Sequence, residues 1–303
     1  MLRTDATAVY FRPLDLEALD RTLYEPKYEE LTARRILKVK TDVAPGAETY
    51  AYNVMTRSGV AKILANNADD VPLVDLDMRR EFQRIYSIVT GFRYTVQEQR
   101  AAAMTGTSVD TAKAGVARRA VAEKENRLAW IGDADYNIKG LINATGIQIE
   151  NVPQNAGATS TNWADKTGEE IVEDVRIIRA NITVLPGHGE SGNLILGIPP
   201  EQYEILAKRY NEFDPRTILE VIRSRNWFRD IVRAPELRGV GTAGTDSLLV
   251  FDSSPEVVEL LIPMDMTRHD PEWKFPSWKF AVEERCGGCI IRYPMAIARG
   301  DGI

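Results

Sequence analysis

Few residues in this chain have the types and spacing that chemistry needs. Cys286-Gly287-Gly288-Cys289 is a C-x-x-C pattern. Redox use of such a pair calls for a helix N-terminus, whose dipole lowers the pKa of the first thiol. The flanks, Lys279-Phe280-Ala281-Val282 and Ile290-Ile291-Arg292-Tyr293, are instead rich in strand formers. Gly-Gly suits a two-residue β-hairpin turn that needs positive φ. The expectation is a structural hairpin with the cysteines facing each other across the turn. One such pair, with no second pair, gives zinc little support.

The two histidines, His188 and His269, sit in loop-like surroundings, Pro186-Gly187-His188-Gly189 and Arg268-His269-Asp270-Pro271. Neither belongs to a zinc-binding pattern, and both read as surface-loop residues. Gly187-His188-Gly189-Glu190-Ser191-Gly192 is glycine-rich, but it lacks the spacing and the following Lys-Ser/Thr of a phosphate loop. Asp69, Asp70, Asp75 and Asp77 cluster around Pro72. They lack the spacing and central glycine of a calcium loop, so a solvated segment is the preferred reading. These residues assign no catalytic group, cofactor or metal. A structural or binding role follows, with a metal-dependent enzyme built on those aspartates as the weakest alternative.

With 303 residues, 44% of them hydrophobic and 27% charged, the chain has the balance of a globular protein rather than a disordered one. No apolar run approaches the roughly 18 residues of a membrane span, and the N-terminus has no secretory pattern. A net charge of −6 argues against a wholly basic DNA-coating protein.

The elements that must position these residues are legible in part. Residues 1–45 read as an arm, with Leu16, Leu19 and Leu23 on one face of a short helix before Pro26. Arg34, Arg35, Lys38 and Lys40 follow without an intervening acid and read as a solvated basic face. Thr49 to Met55 alternates like a strand, Thr56-Arg57-Ser58-Gly59 reads as a turn, and Val60 to Leu64 reads as the returning strand. Phe82 to Thr95 reads as strand with Gly91 as a bulge. Val109 to Trp130 is the firmest element, an alanine-rich helix of roughly 30 Å. Val109, Ala112, Val116 and Ala120 trace one stripe on it; Ala117, Val121 and Leu128 trace another. Gly115 suggests close packing. Thr167 or Asp165 caps a helix carrying Ile171, Val175, Ile178 and Ile182. Asn193–Ile198, Ser247–Phe251 and Val257–Ile262 read as strands, and Pro199-Pro200 opens a helix from Glu201 to Tyr210.

This order resembles the major capsid protein of tailed double-stranded DNA phages, a fold shared with encapsulin shells. The resemblance rests on Ala47-Glu48-Thr49-Tyr50-Ala51-Tyr52, Ile131-Gly132-Asp133-Ala134-Asp135-Tyr136-Asn137-Ile138-Lys139-Gly140-Leu141 and Arg285-Cys286-Gly287-Gly288-Cys289-Ile290-Ile291-Arg292-Tyr293-Pro294. It implies an α+β fold with an N-terminal arm (1–45) and an extended β-hairpin loop (46–75). It also implies a peripheral domain (76–140 and 255–285, spine helix 109–130) and an axial α/β domain (141–254 and 286–303). Contacts between subunits are expected from Tyr50, Tyr52, Val54, Met55, Arg57, Lys62, Ile63 and Leu64 of the loop. From the arm they are expected at Phe11, Leu14, Tyr24 and Tyr28. The function implied is self-assembly into pentamers and hexamers of an icosahedral head that encloses DNA without sequence specificity, in a virion built in the host cytoplasm. Scaffolding, portal and decoration proteins would be separate partners. Composition does not separate a phage head from an encapsulin compartment; the matching stretches favour the phage.

Overall fold

A computed structural model describes residues 30–58, 63, 73–105, 109–157, 159–187 and 192–303. The expected arm contacts Phe11, Leu14, Tyr24 and Tyr28, the loop residues Lys62 and Leu64, and His188 lie outside them, as do Asp69 and Asp70.

The body begins with α1 (Ala33–Ile36) and β1 (Lys38–Lys40), followed by β2 (Thr49–Ser58), β3 (Asp75–Arg84), β4 (Tyr86–Thr95), α2 (Val96–Thr105) and α3 (Val109–Trp130). The short pair β5 (Gly132–Asp133) and β6 (Ile138–Lys139) caps the end of α3. Next come β7 (Gln148–Asn151), α4 (Gly168–Thr183), β8 (Leu194–Ile198), α5 (Pro200–Ile205), α6 (Ile218–Ser224) and β9 (Asp230–Arg233). The chain closes through β10 (Ser247–Asp252), β11 (Val258–Leu261), β12 (Met264–Arg268), β13 (Glu272–Lys274), β14 (Ser277–Cys286), β15 (Gly288–Ile291) and β16 (Ile297–Asp301).

Three larger sheets organise these strands. β14 is flanked by β4 along its full length on one side and by β12 and then β13 on the other. A second sheet has the order β7-β16-β10-β8-β9, and a third the order β1-β11-β15. In α3 the stripe that is buried is Ala117, Val121 and Leu128; Val116, on the other expected stripe, is exposed. The helix packs on β4, β14 and β15, with α1, β5 and β6 also against it, and Val116 falls on the side left uncovered. Gly115 has open space around it, so close packing does not explain it. α4 starts as its sequence dictates. Thr167 accepts from the Glu170 amide and Glu170 reaches back to the Thr167 amide, which satisfies two free N–H groups at once. Its Ile171, Val175, Ile178 and Ile182 are buried in the same core as Trp130, Phe251 and the central strands.

Further expectations change. Thr56–Ser58, expected as a turn, continue β2, which pairs with Asp75–Arg84, Thr49 with Arg84 and Ser58 with Asp75; the expected return at Val60–Leu64 lies, apart from Ile63, outside the described residues. The helix expected to run to Tyr210 ends at Ile205. Gly91 is no bulge. It pairs in register with Ala281, and an added Cβ there would come within 2.8 Å of the Phe280 carbonyl oxygen. The Cys286–Cys289 stretch is no hairpin either. β14 and β15 belong to different sheets, and the two glycines carry the chain from one to the other. Gly288, at φ +73°, has no room for a Cβ, which would sit 2.3 Å from Ile138.

Candidate assembly interface

β2 and β3 form a two-stranded ribbon of ten paired residues, which at about 3.4 Å per residue reaches some 34 Å. Alternation sorts its side chains onto two faces. Ala51, Met55, Leu76, Met78 and Phe82 share one with Thr49, Asn53, Arg80 and Arg84. The exposures of Met55, Leu76, Met78 and Phe82 are 44%, 50%, 57% and 60%. The other face carries Tyr50, Tyr52, Val54, Asp75, Asp77, Arg79, Glu81 and Gln83.

The ribbon is rooted in its own chain through that second face. The Tyr52 hydroxyl donates to the Ile291 carbonyl at 3.1 Å, and the Gln83 amide donates to the Gly287 carbonyl at 2.7 Å. Tyr50 and Tyr52 pack with Ile85, Leu261 and Ile290. Lys40 lies 5.7 Å over the Tyr50 ring, and Arg292 lies 6.0 Å over that of Tyr52. Two of the expected contact residues thus fasten the ribbon at home, whereas Met55 sits on its uncovered apolar face. Ile63 is 97% exposed. Leu76, Met78 and Phe82 escaped the sequence reading. Their period of two is the signal, broken by Arg80 and masked by the charged residues between them.

An isolated two-stranded ribbon is marginal in water, and an uncovered apolar face on one calls for a partner. The model of the major capsid protein family matches residues 59–303. The chain belongs to that family. The capsid of Myoviridae phage XM1 has the same fold: TM-score 0.82 at 13% identity, covering 98% of this chain and 100% of the other. A virus-like particle from Pyrococcus furiosus aligns at TM-score 0.54 and 16% identity over 88% of this chain and 91% of its own. A curated relative, the type 1 encapsulin shell protein EncA of Myxococcus xanthus (strain DK1622), is 24% identical over 82% of this chain and 79% of its own. The α+β architecture expected from the resemblance is therefore that of tailed-phage capsids.

The remaining residues singled out by type serve structure in this capsid-family fold. Cys286 and Cys289 are buried free thiols. Cys286 accepts from the Gly288 amide at 3.3 Å, and Cys289 donates to the Ala129 carbonyl at 3.2 Å. Burial pushes the Cys286 thiol up to about 12 and raises that of Cys289 as well. Both cysteines are expected to resist alkylation in the native protein and to react only after denaturation, as intact mass after iodoacetamide would show. Labelling of the native protein would refute this. His269 is half exposed and paired with Glu283 at 2.7 Å. Asp75 and Asp77 lie exposed on β3. Among the described residues no group of three His, Cys, Asp or Glu could hold a metal ion, and no helix is long and apolar enough to cross a membrane.

The basic segment at 34–40 is not a plain solvated face. Arg34 joins Glu125 of α3 at 2.7 Å, Asp265 of β12 at 2.8 Å and Glu284 of β14 at 2.9 Å. Asn126 caps α1 by accepting from the amides of Thr32 and Ala33 at 3.1 and 3.0 Å. The start of the body is thus tied to α3. Burial pushes the Glu284 carboxyl up to about 8, and its contact with Glu125 adds to the rise, opposed by Arg34. The folded protein therefore keeps a proton that the unfolded chain releases near 4.5. Stability should fall as pH rises between those two values and level off above the higher one. Melting temperatures of wild type and Glu284→Gln from about pH 5 to about pH 8.5 check this. The variant is expected to lose part of the decline, and identical slopes would refute the assignment.

Proposed function

We propose that this chain is the structural subunit of a tailed-phage head, in which pentamers and hexamers close a shell around double-stranded DNA. The observation that carries this is the ribbon with one face rooted in its own chain and the other carrying four exposed apolar side chains, Met55, Leu76, Met78 and Phe82. Such a strap gains its burial from an adjacent subunit. The extended loop of this reading continues past residue 75 to Arg84. The peripheral domain takes β4, α2, α3 and β12 to β14; the axial domain takes the five-stranded sheet with α4 to α6. Residues 1–45 supply the arm, of which α1 and β1 join the body.

The role is structural, and the reading assigns no cofactor and no catalytic group. Portal, scaffolding and decoration proteins act as separate partners, and assembly takes place in the host cytoplasm. The likeness to a phage capsid along the whole of both chains supports a head. The Myxococcus xanthus relative supports a second reading, an encapsulin compartment. Electron microscopy of purified particles, before and after opening them to nuclease, tests both. Closed shells that package double-stranded DNA when made with the other head proteins are expected. Shells that hold only protein favour the compartment, and a monodisperse monomer in every salt and pH tried overturns both.

A further inference from the structure

The chain carries a net charge of −6, yet the surface around the end of α6 is basic. Arg223 lies in the last turn of that helix, Arg225 just after it, and Arg229 just before β9; all three are exposed. Arg179 reaches the same place from α4. These four cations are all arginine. Its planar fork matches the oxygens of a phosphate better than the point charge of lysine does.

Two aromatic rings fix how the guanidiniums are presented. Arg179 and Arg225 lie 5.4 and 4.8 Å from the centre of the Trp227 ring. Arg223 donates to the Tyr203 hydroxyl at 3.4 Å, and Arg233 lies 4.3 Å over the Tyr203 ring. Both rings are thus already covered and act as braces. A braced guanidinium has little rotamer freedom left to lose when it binds.

The carboxylates nearby are engaged elsewhere. Glu173 pairs with Arg176 at 2.6 Å, Glu204 with Arg233 at 3.0 Å and Asp230 with Arg35 at 3.5 Å. Glu220 accepts from the Thr217 amide at the opposite end of α6. Among the described residues Arg179, Arg223, Arg225 and Arg229 are left with no carboxylate in an ion pair. The Nε of Arg179 is buried without a hydrogen-bond partner there, and burial pushes its pKa down. A guanidinium keeps its proton all the same, so its buried charge remains uncompensated until an anion approaches. Several such cations on one face attract a polyanion, which releases its counterions on binding.

We propose that this arginine face grips the phosphate backbone of duplex DNA, through Arg179 and Arg225 braced on Trp227 with Arg223 and Arg229 beside them. This rests on the head reading above, which makes DNA the polyanion at hand. The test follows binding of a short labelled duplex to dissociated subunits by fluorescence anisotropy, from about 50 to 200 mM salt. Arg225→Gln with Arg229→Gln is expected to weaken binding about tenfold or more at the low end and to flatten the plot of log affinity against log salt by about two. Arg225→Lys with Arg229→Lys keeps the charge and should keep the slope. Arg223→Gln with Arg229→Gln, which leaves the Trp227 brace intact, should repeat the loss if the first pair disturbs the circular dichroism. Arg100→Gln with Arg118→Gln, on α2 and α3, removes the same charge and should bind as wild type does. Equal weakening in that control, no wild-type affinity at low salt, or displacement of the duplex by poly-glutamate at equal charge would overturn the DNA contact and leave the shell reading intact. A wild type that never assembles would overturn the shell reading, whatever the duplex does.

Discussion

Replacing Met78 and Phe82 together by aspartate is expected to abolish shell formation and leave the subunit folded. Both side chains are more than half exposed on the outer face of the ribbon, so neither contributes much to the core of its own chain. Burying one such side chain contributes roughly 1.5–3 kcal/mol, and a shell repeats the contact at every subunit. A carboxylate in the same place loses that gain and adds the cost of dehydrating a charge. The root of the ribbon, Tyr50, Tyr52 and Gln83, is untouched. Circular dichroism should match wild type, and sedimentation velocity should show subunits or small oligomers in place of particles. Full-size shells at wild-type yield would remove the ribbon from the assembly contacts. The shell reading would then lose its main physical support.

Gly140→Ala is expected to destabilise the fold by about 3 kcal/mol or more. An added Cβ at Gly140 would lie 2.3 Å from the Gly132 amide nitrogen, 2.5 Å from the Ile131 carbonyl carbon and 2.7 Å from the Trp130 carbonyl oxygen. All three are backbone atoms, so no side chain can move aside. The same turn brings Leu141 and Ile142 back over the end of α3, where their amides donate to the Ala129 and Trp130 carbonyls, both at 2.9 Å. Trp130 itself is fully buried and stands edge-on to Phe251, with ring centroids 6.5 Å apart. Forcing the strand away would uncover that packing. Gly115→Ala is the matched control: the site is helical and open, so a gain of about 0.5–1 kcal/mol is expected. Thermal denaturation of the two variants should move in opposite directions. An undiminished melting temperature for Gly140→Ala would refute the steric account.

What was readable in the sequence is what short-range physics decides. The span of α3 follows from alanine content and the absence of proline. The start of α4 follows from a capping box contained within four residues. The run Ile131-Gly132-Asp133 with Ile138-Lys139-Gly140-Leu141 carried the resemblance to the family, and in the structure its two glycines sit at one tight backbone crossing. Hydrophobic content fixed which segments would be buried, but not against what.

The tertiary structure decided the partners. Thr49–Met55 had a plausible return nearby in Val60–Leu64 across a turn at Thr56–Gly59, but Thr56–Ser58 prolong the strand and its partner is Asp75–Arg84. Strand propensity scores a segment alone, whereas pairing depends on the register of two segments and the face each must bury. The same limit hid the fate of Cys286 and Cys289, because a Gly-Gly link between two strands reads alike whether they share a sheet or leave one for another. Arg34 finds its carboxylates 91, 231 and 250 residues away, beyond the reach of any local pattern. The uncovered face of the ribbon was the least legible feature. It is defined by what the rest of the chain fails to cover, and that exists only once the chain has folded.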